Sequence, residues 1–300
     1  MDSKMIKRMK RILPGVAFLL AAPSVVASEG NGPGIYPDGL ENYMSGFLPA
    51  EGIHTLLYGG SARYDHVRDS KGHDISGPGF SMNVNILAPR IIWVTEQRLL
   101  GGQLAFHSIL PLLDITAKSY GRKYTRQGLG DITLGPALGF HPLRDLHYVL
   151  GVDVFAPTGT YSQSDPASLG RNYWAVQPVW AISYIPQQGV NADIKMMYDV
   201  NLRNQESHTK SGQAFHADYA LGWAVGNGWV FGIGGYTFIQ TTNDNGPNSA
   251  PAKARAFSLG PSIRYANDKG WLMTLKWQKE MDVRNRPEGS QLYLKASVPL

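Results

Sequence analysis

The chain of 300 residues contains no cysteine, which excludes a disulfide scaffold, a thiolate metal site and a cysteine nucleophile. No apolar run reaches the roughly 20 residues that a membrane-spanning helix needs, and no long stretch repeats its apolar residues at helical spacing. The short signatures of common enzyme sites are missing as well: there is no G-x-S-x-G elbow, no H-E-x-x-H, no phosphate-binding glycine loop and no EF-hand loop. A true excess of one charge is also lacking. Of 28 Lys+Arg and 23 Asp+Glu, five basic residues and one acid fall within the first 27 positions, so the remainder carries 23 against 22. The high isoelectric point is therefore no argument for nucleic acid.

Those first residues have a layout of their own. MDSKMIKRMKRILPGVAFLLAAPSVVAS opens with Lys4, Lys7, Arg8, Lys10 and Arg11, passes through an apolar run from about Val16 to Ala22, and ends in small residues. This is the three-part pattern of a secretory signal peptide over residues 1–27, with cleavage expected after Ala27.

From about residue 52 the chain reads as short β-segments: 53–65, 80–94, 102–117, 129–140, 147–157, 172–185, 189–203, 213–225, 228–240, 254–266, 270–283 and 291–299. The stretch VNADIKMMYDVNLR (190–203) shows the period of two most clearly, with Val190, Ala192, Ile194, Met196, Tyr198, Val200 and Leu202 on one face. Short turns at 187–188, 226–228, 267–270 and 141–147 alternate with longer polar links such as RDSKGHDISG, SYGRKYTRQG, GTYSQSDPASLGR and RNRPEGS. An even strand number with short turns at one end and long loops at the other is the layout of an outer-membrane barrel. The expected fold is thus all-β, an antiparallel up-and-down transmembrane β-barrel of about 12 strands over residues 53–300.

A soluble barrel would point the apolar face inward, a membrane barrel outward. Aromatic residues crowd the short turns: Phe140 and Tyr148, Trp223 and Trp229, Tyr265 and Trp271, with Tyr184 before the turn at Gln187. Rings at one end of successive strands form the girdle of a membrane interface. The opposite face then lines the interior, and Asp131, Asp153, Asp193, Lys195, Asp199, Arg203, His216, Asp218, Arg264, Lys276, Glu280 and Lys295 are the expected pore-lining residues. No catalytic set emerges. His107 and Ser108 are adjacent but face opposite ways on a strand, and His216 with Asp218 reads as a lumen pair. His141 and His147 bracket a turn, where a solvated placement is expected.

QGLGDITLGP (127–136), DVFAPTGTY (153–161), the lead-in from Gly34 to Gly52 and the terminal QLYLKASVPL together resemble the meta-pathway phenol-degradation family. The resemblance implies an exported outer-membrane barrel of Gram-negative bacteria that acts as a channel for hydrophobic or aromatic compounds, with no catalytic residue and no cofactor or metal. Its partners would be the lipid bilayer of the outer membrane, the barrel-assembly machinery and a small-molecule solute, with no nucleic acid. One departure is the last residue, Leu300, where such barrels commonly end in an aromatic ring. The other readings left by the residues are a barrel enzyme acting on lipid and a structural or adhesive barrel that binds partners through its loops.

Residues 28–52 stand apart. They carry Gly30, Gly32, Gly34, Pro33, Pro37 and Pro49, too many breakers for a strand, yet Ile35, Tyr36, Leu40, Tyr43, Met44, Phe47 and Leu48 are too apolar for a free tail. A lumen plug is expected, packed near the irregular segments at Leu56-Leu57 and Ile109 to Leu113, with a loose tail that binds a periplasmic partner as the alternative.

Overall fold

The computed structural model describes residues 34–247, 249 and 252–297; the signal segment, residues 28–33 and the last three positions lie outside it. Fourteen strands make one antiparallel sheet: β1 (Gly52–Arg68), β2 (Ser81–Leu99), β3 (Gly102–Ile109), β4 (Leu112–Ser119), β5 (Arg122–Leu129), β6 (Ile132–Phe140), β7 (Leu146–Ala156), β8 (Ala175–Tyr184), β9 (Gln188–Asn201), β10 (Ala214–Gly226), β11 (Trp229–Gln240), β12 (Arg255–Ala266), β13 (Leu272–Arg284) and β14 (Arg286–Ser297). The sheet closes where β1 pairs with β14, from Leu56↔Ser297 to Arg68↔Arg286. Closure leaves no open edge there, which is the condition for a sheet to sit in hydrocarbon.

The strand segments make twelve crossings, because two of them are each interrupted once. β3 and β4 are one crossing broken at Leu110-Pro111, and β5 and β6 are the next, broken at Gly130-Asp131. β2 pairs with β3 along one half and with β4 along the other. Pro111 has no N–H to give to a ladder, but its carbonyl accepts the Gly130 N–H at 2.8 Å. The irregular pattern at Ile109 to Leu113 is this break.

Two links that read as loops are hairpins. SYGRKYTRQG contains β5, turned at Tyr120-Gly121, and RNRPEGS contributes the start of β14. Both lack an apolar face, so no period of two announced them. The turn at Tyr120-Gly121 has positive φ at both residues, 49° and 73°, the hand that matches a twisted hairpin.

The faces sort as a membrane barrel requires. On β13, Met273, Leu275 and Trp277 are 43%, 43% and 44% exposed, while the intervening Lys276, Gln278 and Glu280 are 1%, 0% and 1% exposed. A soluble protein shows the reverse. Exposed apolar residues recur on every long strand, among them Leu87, Trp180, Leu221, Ile233 and Leu294. With hydrocarbon outside, the substitution Ile194→Arg on β9 should cost about 2–4 kcal/mol if the residue lies near the midplane. Urea titration of protein refolded into lipid vesicles measures this; an unchanged midpoint would place Ile194 away from lipid.

Candidate functional site

The interior is built around the segment that precedes β1. Pro37-Asp38-Gly39-Leu40 forms a tight turn in which the Leu40 N–H reaches the Pro37 carbonyl at 3.1 Å. Gly39 sits at φ +78°, a conformation that favours glycine, and a side chain there would collide with Gln278. The turn lifts Asp38 and Glu41 into the lumen, while Tyr36, Leu40, Tyr43 and Leu48 are all buried. Tyr43 fills a hollow left by two glycines: Gly222 and Gly232 are cross-strand partners, and a Cβ at either would come 2.3 or 2.6 Å from the Tyr43 hydroxyl. Toward the short-turn end, Phe47 packs edge-on against His147 at 4.9 Å.

Polar contacts fix the same segment from several strands. The Asp218 carboxylate accepts the Tyr36 hydroxyl at 2.8 Å and the backbone N–H groups of Gly39 at 2.7 Å and Glu41 at 2.9 Å. Asp193 accepts the Ser45 N–H at 2.9 Å and also the Ser183 hydroxyl. Glu41 takes hydrogen bonds from Lys295 and the Tyr58 hydroxyl, both at 2.8 Å, with Arg90 at 3.4 Å. Asp38 pairs with Arg286 at 3.1 Å and lies 3.2 Å from His216 Nδ1. The Lys276 ammonium donates to the Glu41 carbonyl at 2.6 Å.

His216 is held between two carboxylates, because its Nε2 is 2.9 Å from Asp199. Gln177 Nε2 lies 3.2 Å from the same His216 nitrogen. The described interior then contains the carboxylates of Asp38, Glu41, Asp153, Asp193, Asp199, Asp218 and Glu280, all buried. Facing them are Arg90, Lys195, Arg264, Lys276, Arg286 and Lys295, all buried except the half-buried Arg90, with His216 between Asp38 and Asp199. Two of the carboxylates belong to the lead-in. Buried charges survive only when paired.

Of the residues expected to line the pore, Asp153, Asp193, Lys195, Asp199, His216, Asp218, Arg264, Lys276, Glu280 and Lys295 lie buried inside. Asp153 meets His107 at 2.9 Å, and Glu280 accepts the Tyr236 hydroxyl. Asp131 has a different place: at the break between β5 and β6 it accepts the backbone N–H groups of Gly159 at 2.9 Å and Arg171 at 2.7 Å, anchoring the link 157–174. Arg203 is exposed and donates to the His208 carbonyl within its own loop. His216 partners Asp38 and Asp199 rather than Asp218, and His147 is buried with its Nδ1 2.7 Å from that of His141. At the short-turn end Phe140 stacks on Tyr148 at 4.6 Å and Trp229 meets Tyr265 at 4.9 Å, with Tyr184, Trp223 and Trp271 exposed nearby in the sequence turns. Asp38, Glu41, Arg90 and Arg286 were missed. Asp38 and Glu41, set among the apolar anchors Tyr36, Leu40 and Tyr43 with no basic residue in the segment, were the available signal.

A family model described as "Putative MetA-pathway of phenol degradation" matches residues 64–296. The chain belongs to this family. Among solved structures, an outer membrane channel from Pseudomonas putida F1 is 18% identical, over 85% of this chain and 97% of that chain, with a TM-score of 0.73. It shares the fold of the phenol-degradation family member described here. The β domain of the Bordetella autotransporter BrkA is 11% identical over 83% of this chain and 100% of that chain, with a TM-score of 0.48. No curated protein matches the chain in sequence.

The lead-in's charge responds to pH in a defined direction. Burial acts to raise the Glu41 carboxyl, but Lys295, Lys195 and Arg90 outweigh it and hold the group far below the usual carboxylate range. A depressed carboxyl contributes stability that is complete above the unfolded value, about 4.5, and is lost only as pH falls through the folded one. Protection of the Gly39 and Glu41 amides against hydrogen exchange should therefore persist from pH 7 to pH 5. Glu41→Gln leaves Lys295 and Arg90 buried without their carboxylate, at a cost of about 3–5 kcal/mol. Exchange of those two amides should then accelerate by roughly a hundredfold or more; unchanged protection would show that the carboxylate does not hold the segment.

Proposed function

We propose that the protein is an outer-membrane channel that passes small hydrophobic or aromatic compounds without transforming them, and that residues 28–52 act as its plug. The apolar exterior supports placement in a bilayer, and the similar Pseudomonas putida protein is itself an outer membrane channel. The plug reading is supported by the contacts that Asp38, Glu41 and Tyr43 make with the inner wall. Assembly is expected to use the barrel-assembly machinery, with Leu292 and Leu294 of the last strand facing lipid.

The observation that carries the substrate class is a cavity of about 140 Å³ between the lead-in and the wall. Ile35 and Leu40 line it from the lead-in, Val84, Ile86, Leu113 and Ile115 from β2 and β4. The lining is mainly apolar but includes Asp153 and Arg171; an apolar cavity of roughly 150 Å³ accepts benzene, so the space has room for one aromatic ring. Pro111 and Asp131 also line it, which sets the cavity against the two strand breaks. The ladder is interrupted there, and an apolar solute would pass between cavity and bilayer through that gap. An enzyme reading finds less support: His107 has Asp153 as partner, while Ser108 belongs to the opposite face.

The substitution Ile115→Trp tests the reading by filling the cavity, at about 1–3 kcal/mol of overpacking. Uptake of a radiolabelled single-ring hydrocarbon by intact cells should fall to the level of cells without the protein, with the amount of assembled barrel unchanged. Undiminished uptake would remove the cavity from the path, and phospholipid cleavage by the purified wild type would replace the channel with an enzyme.

A further inference from the structure

The hairpin of β4 and β5 carries a charge arrangement that neither the channel nor the plug uses. Its register pairs Lys118 with Lys123, Ala117 with Tyr124 and Thr116 with Thr125. Residues directly opposite in an antiparallel pair share a face, and like charges so placed destabilise it. Ile115 and Ala117 are buried against Leu169, so the alternate residues Leu112, Thr116 and Lys118, with Lys123 and Thr125 opposite, look away from the barrel. Both lysines are exposed.

Height along the strand defines what surrounds them. Leu112, at the foot of the same face, is 48% exposed and belongs to the apolar belt. Lys118 is six residues further from the short-turn end, about 20 Å along the strand, beyond hydrocarbon and on the long-loop side. Arg122 is exposed at the same tip, and Arg126 is already tied to Asp165 at 2.7 Å. Among the described residues, Lys118 and Lys123 form no ion pair. β5 also has β4 as its sole strand partner, which leaves its other edge uncovered by the sheet.

We propose that Lys118 and Lys123 clamp a phosphate of the phosphorylated glycolipid that forms the outer leaflet. The lysines point at the surrounding leaflet and not into the lumen, which favours a lipid over a solute in transit. Two ammonium groups held opposite one another match a phosphate dianion as a shared counter-ion, and the glycolipid docked there covers the hairpin beside the strand break. An anionic partner converts the repulsive cross-strand pair into a favourable one.

The test uses the full-length protein in detergent, with bisphosphoryl lipid A, the same lipid after dephosphorylation, and phosphatidylglycerol as probes. Thermal unfolding of the wild type should shift upward with bisphosphoryl lipid A and not with the dephosphorylated form. Lys118→Gln with Lys123→Gln should weaken that binding by at least about tenfold, whereas Arg203→Gln, at an exposed loop cation elsewhere, should leave it intact. In detergent alone the double variant should unfold at the same or a higher temperature than the wild type, since the like-charge pair is gone; this separates loss of a site from loss of fold. Lys118→Arg with Lys123→Arg should retain the response. The proposal is overturned if the Gln variant binds as the wild type does, if dephosphorylated lipid stabilises equally, or if phosphatidylglycerol stabilises as strongly as lipid A.

Discussion

Peptide groups in hydrocarbon have no water to bind, and the architecture follows from that constraint. Every crossing must find a neighbour on both sides, so the sheet closes through β1 and β14. Closure in turn fixes which face each residue takes, because side chains alternate strictly across the wall. Lipid accepts Trp277 and Leu275 on one face, and the other face is free to carry Lys276, Gln278 and Glu280. The place where the constraint is relaxed, at Pro111 and Gly130-Asp131, is repaired by hydrogen bonds from outside the ladder: the Thr158 hydroxyl donates to the Gly130 carbonyl at 2.8 Å and accepts the Ile132 N–H at 3.0 Å.

A polar interior creates the second problem, since a narrow barrel packs charges where little water can reach them. The wall alone supplies five buried carboxylates against six Lys and Arg side chains, and Asp38 and Glu41 from the lead-in pair with Arg286 and Lys295. The segment thus has an electrostatic reason to stay inside in addition to the burial of Tyr36, Leu40 and Tyr43. The same packing leaves a mainly apolar cavity on one side, with Asp131, Asp153 and Arg171 among its lining.

The strands from β7 to β13 were legible because each has one face in lipid and one in the lumen, giving the period of two in VNADIKMMYDVNLR. Strands that rise above the bilayer lose that contrast. Arg122 to Gln127 and Arg286 to Ser290 show no alternation of apolar and polar residues, and only their register with β4 and β1 reveals them. Most of the charged lumen was legible by the same alternation, whereas Asp131 was not, since its role depends on the link 157–174 folding back over the break. The partners of Asp38 and Glu41 lie up to 254 positions away. No local pattern encodes a contact of that separation; what the sequence showed was a segment with apolar anchors and two acids that needed partners.

Planar-bilayer recording of the chain lacking Ser28 to Ala50, expressed behind an intact signal and correctly folded, tests the account most directly. With the segment gone, and the buried carboxylates of Asp38 and Glu41 with it, the account predicts a larger single-channel conductance than that of the full chain and a reversal potential showing preference for anions. Unchanged conductance, or an open pore that prefers cations, would contradict it.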